Sequence, residues 1–234
     1  MRSLPPLYMT KNKIDMDSIK GFSQADFKKY SIEERVRWVF DHFAEDEILM
    51  TSSFGSSSAL LLHLIHKISP NHPIYFLNTG FHFEETKAYK EKLQAQLGLN
   101  VKTIGALENK HRFTAENYTY QHNQDLCCFI NKVEPLSALR ESHKIWLSGL
   151  FKYQNENRKQ LTFFDQKDDI LKVYPLLDMT PEEVHAYFFI HELPSHKLVA
   201  KGYSSIGCTH CTAKGNGREG RWAGNAKVEC GIHL

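Results

Sequence analysis

Five cysteines are the side chains best suited to chemistry in this 234-residue chain. Cys127 and Cys128 adjoin in "DLCCFINKVEPL", Cys208 and Cys211 form a Cys-x-x-Cys in "GCTHC", and Cys230 stands alone in "KVECGIHL". Two pairs of soft thiolates suit either tetrahedral zinc or an iron–sulfur cluster. Adjacent cysteines make an unusual zinc half-site, because neighbouring side chains diverge and zinc ligands are usually spaced two or more apart. Irons at separate corners of a cluster accept adjacent ligands more readily. The fifth cysteine falls outside any four-ligand site, which leaves it an idle thiol or the reacting group.

A second set of residues could bind an anion. In "SSFGSSSALLLHL" the loop glycine, Gly55, lets the backbone turn, and Ser53, Ser56 and the following amides offer donors where a helix dipole favours negative charge. A solvated serine-rich turn explains the same string. "YFLNTG" ends in Thr79 and Gly80, which could read a nucleotide base and ribose beside that loop, or could be an ordinary strand-ending turn.

These residues need elements to hold them. "SIEERVRWVFDHF" opens with a capping-box pattern, Ser31 to Glu34, and sets Ile32, Val36, Val39, Phe40 and Phe43 on one helical stripe. "EILMTSS" predicts a buried strand and "ALLLHLIHKI" the helix after the serine loop. "PIYFLNTG" and "LNVKTIG" predict two more strands around the helix "EETKAYKEKLQAQLG", and "KIWLSGL" a further one. "MTPEEVHAYFFIHEL" carries Thr180 as N-cap, Pro181 at the first helical position and Glu183 completing the box. Strands alternating with helices imply a doubly wound, mostly parallel α/β sheet, whose ligands bind beyond the strand carboxyl ends. Tyr187, Phe188 and Phe189 are expected in the core, and His63 and His66 at its edge or on the surface.

Composition narrows the function classes. Hydrophobic residues at 41% and charged residues at 24% describe an ordinary globular chain. A net charge of +2 provides no general field for nucleic acid or membrane, so any anion site is local. No run approaches the roughly 18 apolar residues of a membrane span, and the first twenty residues lack a signal-type apolar segment. The expectation is a cytoplasmic protein, a reducing setting in which cysteines serve as ligands or redox groups. The chain divides into a leader over 1–30, a nucleotide-binding α/β domain over 31–205 and a C-terminal tail over 206–234 within the same domain.

Together these pieces resemble the assimilatory sulfonucleotide reductases, which reduce adenylyl sulfate or its 3′-phosphorylated form to sulfite. The likeness runs from about Ser52 to Leu234: "SSFGSSSALLLHL" resembles the family's phosphate loop, "LNTGFHFEET" its nucleotide strand, "CC…CTHC" with "NKVEPL" its cluster pattern, "GREGRWAG" its arginine-rich tail and "KVECGIHL" its C-terminal signature. The resemblance implies an adenine nucleotide α-hydrolase-like fold with a mobile tail, and a 4Fe–4S cluster on Cys127, Cys128, Cys208 and Cys211 with Lys132 beside it. It implies that Cys230 is the nucleophile, and the residues agree, since the Lys/Arg-rich surroundings of that cysteine favour thiolate.

A thiolate attacking the sulfuryl sulfur would expel AMP and leave an S-sulfocysteine, and a thioredoxin- or glutaredoxin-like dithiol would then release sulfite. Lys132, Arg158, Arg218 and Arg221 are the cations expected to bind the substrate's negative charge. His233 is a candidate for proton transfer, though a terminal histidine is more often simply solvated.

Some strings depart from the family pattern. Phe151, Lys152 and Tyr153 stand where an Arg-Arg-Asp-like run is usual, Ser56, Ser57 and Ser58 follow the loop glycine where acids are common, and Met179 replaces a tryptophan. The cluster pattern favours adenylyl sulfate as substrate; a 3′-phosphoadenylyl sulfate or dual-substrate reductase is the alternative. An ATP pyrophosphatase-type adenylating enzyme is disfavoured because "FGSSS" has no acid for metal and pyrophosphate, and a non-enzymatic zinc module remains a rival. The oligomeric state is left open, a homo-oligomer included.

Overall fold

The computed structural model describes residues 23–167, 170–222, 227, 229, 231 and 232. Local signals set most of its elements. Ser31 caps α2 (Ile32–His42): its Oγ accepts from Glu34 N at 3.3 Å, and its own N–H donates to the Glu34 carboxylate at 2.7 Å. Val36 and Val39 of the expected stripe are fully buried, with Ile32, Phe40 and Phe43 packed at the core margin. Arg35 and Trp38 are buried as well, outside that stripe. Arg35 is accommodated by an ion pair with Asp178 at 2.5 Å and by the carbonyl oxygens of Phe27 and Pro175.

The leader contributes to the fold. Ser23 caps a short helix, α1 (Gln24–Lys29), whose Phe27 is fully buried against Trp38, Phe163 and Phe164.

Among the described residues, six strands form one sheet in the order β3-β2-β1-β4-β6-β5. β1 (Ile48–Ser52), β2 (Ile74–Asn78), β3 (Val101–Gly105), β4 (Ile145–Leu147) and β6 (Ile170–Val173) run parallel, while β5 (Phe164–Lys167) lies antiparallel on the edge beside β6. The β5–β6 pair was not predicted: in "FFDQKDDILKVY" the polar residues of the edge strand hide the pattern. The chain winds outward from β1 through β2 to β3, then returns to the other side of β1 at β4. The order reverses between β1 and β4, where a doubly wound sheet leaves a crevice at its carboxyl edge.

Helices supply both faces. α3 (Ser58–Ile68) follows β1 and is mostly buried, α4 (Glu84–Leu97) follows β2, and α5 (Glu108–Glu116) follows β3. Short helices α6 (Thr119–His122) and α7 (Gln124–Cys128) lead through a π-turn at Phe129–Val133 into α8 (Glu134–Ser142). After β4 come the short α9 (Glu156–Lys159) and, beyond β6, α10 (Pro181–Ile190). α10 keeps its predicted capping box, with Glu183 N donating to Thr180 Oγ1 at 3.2 Å and Thr180 N to the Glu183 carboxylate at 2.8 Å. Its aromatic run is a correction. Tyr187 and Phe188 pack on the core margin, but Phe189 is 80% exposed, because α10 covers the core with one side only. His63 is half-buried at the core edge and bonds the Tyr187 hydroxyl at 2.8 Å. No helix among the described residues is long and apolar enough to cross a membrane.

Candidate functional site

A cleft of about 220 Å³ opens at the switch point, floored by the carboxyl ends of β1 and β4 and walled by the loop after β1. That loop turns differently from the sequence expectation. Gly55 has an ordinary negative φ, and the left-handed residue is Phe54, at φ +49°. Such a conformation costs a bulky side chain energy and persists only when its surroundings enforce it. Here they do: the Phe54 ring is fully buried edge-on to Phe76, and its N–H donates to Ser52 Oγ at 3.1 Å. The strained turn sends Ser53, Gly55 and Ser56 along the cleft.

Ser57, the N-cap of the 11-residue α3, makes no side-chain cap and lines the cleft with Ser58, whose N–H donates to the Gly55 carbonyl at 3.2 Å. A helix N-terminus of this length favours negative charge through its dipole. Ser56 itself donates to the Ser204 carbonyl at 3.0 Å, which ties the loop to the segment that precedes Cys208.

Cations and one unexpected carboxylate line the rest. Arg158, buried at 5% exposure, grips Glu229 with Nε to Oε1 at 2.5 Å and Nη2 to Oε2 at 2.9 Å, while its Nη1 donates to Gln154 Oε1. Arg218 Nη2 reaches the same carboxylate at 3.0 Å, and Asn155 Nδ2 donates to it at 2.9 Å. Burial pushes the Glu229 carboxyl up, but the bonds and charge of Arg158 and the charge of Arg218 outweigh that and hold it below the ordinary value. Arg221 also faces the cleft. Its Nε donates to the Cys211 carbonyl at 3.2 Å and its guanidinium lies over the Trp222 ring at 4.4 Å. Gly207 permits this, since a Cβ there would sit 2.4 Å from the Arg221 guanidinium.

A second, smaller cavity shares a wall with the cleft. Cys127, Cys128, Cys208 and Cys211 all border it, buried and not in disulfides. α7 and its π-turn bring in the first pair, and a tight turn at Thr209–Cys211 brings in the second. Burial, then the neighbouring thiols, push Cys127 up to about 11, and Cys211 is raised for the same reasons. Lys132 and Arg221 pull Cys211 back down. Asn131 Nδ2 lies 3.7 Å from Cys127 Sγ and donates to the Cys127 carbonyl at 3.0 Å. The outer wall is aromatic: His210 stacks on Tyr120 at 3.6 Å, with Phe81 edge-on. Among the described residues, no group of three or more His, Cys, Asp or Glu is arranged to hold a single metal ion.

Lys132, Thr79 and Cys208 line both cavities. The Thr79 hydroxyl lies 3.3 Å from Cys208 Sγ, so it serves the thiol cavity rather than projecting only toward a nucleotide. Gly80 does not line the cleft. At φ +74° it packs on His111, whose ring would lie 2.1 Å from any Cβ, and this lets the chain pass from β2 toward the thiols. Among the departures, Phe151 is fully buried and stacked on Tyr153, while Gln154 and Arg158 keep their places in the cleft.

Cys230 and His233 lie outside the described residues. The neighbours Glu229 and Ile232 both line the cleft. Sequence reasoning passed over Glu229, although it sits inside the most distinctive string, "KVECGIHL". Asn131 was also missed; its position one helical turn after Cys127 was the available signal.

Comparison with known proteins accords with this geometry. Residues 47–214 match the phosphoadenosine phosphosulfate reductase domain. An adenosine 5′-phosphosulfate reductase of Bacillus mycoides is 36% identical over 227 residues, covering 92% of this chain and 94% of that protein. One from Mesorhizobium japonicum is 40% identical over 209 residues, covering 87% and 81%. Among solved structures, a Candida auris phosphoadenylyl-sulfate reductase superposes with a TM-score of 0.69 at 24% identity, covering 82% of this chain and 98% of that one. A Candida glabrata FMN adenylyltransferase has a TM-score of 0.55 at 14% identity, covering 83% and 68%, a likeness of fold alone. Matched over more than half its length, and with relatives well above 30% identity spanning nearly all of it, the chain belongs to the phosphoadenosine phosphosulfate reductase domain family.

Proposed function

We propose that this protein reduces adenylyl sulfate to sulfite and AMP, with the thiolate of Cys230 as nucleophile. The observation that carries the reading is the cleft itself. An uncapped helix N-terminus and four cations, Lys132, Arg158, Arg218 and Arg221, meet at a sheet switch point, and the residues flanking position 230 border the same space. The nucleotide's phosphosulfate takes the N-terminal end of α3 and the cations Lys132, Arg218 and Arg221, while Arg158 holds Glu229. Cys230 Sγ attacks the sulfuryl sulfur; the S–O bond to phosphate breaks, and AMP leaves with the electron pair. Preorganised cations stabilise the charge that grows on the leaving oxygen. A dithiol of thioredoxin or glutaredoxin type then attacks the Cys230 sulfur, sulfite leaves with the bonding pair, and the second thiol closes the reductant's disulfide, freeing Cys230. The dithiol is oxidised by two electrons and sulfur is reduced by two. The names of the relatives, adenosine 5′-phosphosulfate reductases, support this substrate.

The four thiols suit a 4Fe–4S cluster: they border one cavity from two chain segments, carry second-sphere donors at Asn131 and Thr79, and have Lys132 and Arg221 close enough to offset thiolate charge. Four sulfurs around a cavity suit a cube of irons better than one zinc. Such a cluster would tie the two cysteine segments rigidly together beside the cleft, with Lys132 and Arg221 offsetting its thiolate charge. Lys132, lining both spaces, would carry that influence to the nucleotide. On this reading the tail over 206–234 acts both as ligand and as nucleophile segment, and four cysteines outside any disulfide suit a reducing, cytoplasmic setting.

Sulfite release measured from adenylyl sulfate and from its 3′-phosphorylated form tests the substrate. The expected result is faster turnover of the unphosphorylated nucleotide; the reverse order overturns that assignment.

A further inference from the structure

The tail is fastened on both sides of position 230. On one side, Glu229 is 5% exposed and its carboxylate is fully engaged by Arg158, Arg218 and Asn155. On the other, the Ile232 side chain packs on the apolar cluster of Leu49, Leu77, Leu136, Trp146 and Ile170, and its carbonyl accepts from Lys172 Nζ at 3.3 Å. Lys172 is a buried cation in the middle of β6, held over the Trp146 ring at 5.1 Å. Between the two anchors Gly231 passes close to Val133, whose methyl would lie 3.2 Å from a Cβ at that position.

Arg158 has little left for a ligand. Nε and Nη2 bind Glu229 and Nη1 binds Gln154, so its guanidinium serves the tail. Arg218 gives Glu229 only one nitrogen, with Nη1 at 3.5 Å from Ser205 Oγ.

We propose that Glu229 is a positioning residue, one half of a two-point latch with Ile232 and Lys172 that seats the nucleophile segment over the cleft. In that latch Arg158 holds the tail with both Nε and Nη2, and Arg218 adds one bond to the same carboxylate. This inference rests on Cys230 being the nucleophile. Its role is geometric, since displacing a reacting atom by about 1 Å costs on the order of a hundredfold in rate.

The test uses the full-length protein with its cluster intact, judged by visible absorption. Adduct formation on Cys230 is followed by mass spectrometry after mixing with adenylyl sulfate in the absence of reductant. In Glu229→Gln the rate at saturating nucleotide is expected to fall by roughly a hundredfold while the half-saturating concentration moves less than about threefold, the mark of lost positioning rather than lost binding. Without nucleotide, Cys230 in that variant should be alkylated faster by iodoacetamide, and trypsin should cut sooner after Lys227. Ile232→Ala, which leaves every charge in place, should change the same readouts in the same direction. Wild-type adduct rates and alkylation in both variants would overturn the latch, as would a rise in half-saturation with an unchanged saturating rate. If wild-type protein itself gains no mass at Cys230, the nucleophile assignment fails instead; the alkylation and proteolysis comparison still reads the latch separately.

Discussion

The cleft and the thiol cavity share Lys132, Thr79 and Cys208 as a common wall, yet they handle buried charge differently. In the cleft the protein carries its own counter-ion: Glu229 offsets Arg158 and part of Arg218, and its carboxyl is held ionised. In the thiol cavity no carboxylate lines the wall among the described residues; burial and the neighbouring thiols push Cys127 and Cys211 up, beside the aromatic rings of Phe81, Tyr120 and His210. The first region balances buried charge with its own side chains, whereas in the second the proposed metal group would take the place of the thiol protons. The lesson is that the cleft can be tested by shifting charge and the cavity by removing sulfur, with separable outcomes.

The largest expected effect is on chemistry alone. Cys230→Ser should lose sulfite release by several orders of magnitude, with visible absorption and thermal midpoint retained. Surviving activity would remove the nucleophile from the tail and leave the cleft as a binding site only.

Cys128→Ser should separate the regions from the other side. Loss of visible absorption and a fall in thermal midpoint are expected, as for a protein whose metal ligation is part of its folding energy. Retained absorption would show that the four thiols do not act as one donor set.

Arg158→Met comes next. Removing one partner of a buried ion pair costs about 3–5 kcal/mol, and because Arg218 still faces Glu229, the lower end is expected. Denaturant unfolding reads this, and absorption should stay. An increase in stability would mean that the pair is held for positioning at the expense of the fold.

The smallest effect is on pH. The folded Glu229 carboxyl is depressed, so its contribution is fully present above the ordinary carboxylate value, about 4.3, and is lost only as pH falls through the lower folded value. Protection of the tail from protease should therefore be flat from neutrality to about pH 5 and decline below the ordinary range. A decline already near neutrality would assign the transition to a group other than Glu229.

Much of the fold was legible because its signals are local. The capping boxes at Ser31 and Thr180 and the apolar runs of β1 and β2 each predicted an element that formed. The edge strand β5 was not legible, since its half-buried polar residues resemble a loop by type and its strand character comes from pairing with β6. The loop turn was assigned to Gly55 by residue type, but the core pulls Phe54 inward and puts the strain there. Phe189 was placed inside by hydrophobicity alone, and only the orientation of α10 leaves it exposed.

By itself the sequence determined the ingredients: a doubly wound α/β sheet, two cysteine pairs, a separate fifth cysteine and the basic residues suited by type to an anion, because residue chemistry and periodicity are properties of short segments. Only the tertiary structure decided how those parts are shared. Arg158 met Glu229, Thr79 turned to Cys208, and Lys172 reached Ile232 across separations of 71, 129 and 60 residues. Partners so far apart along the chain are chosen by how the sheet and its helices pack, which short-range pattern does not encode.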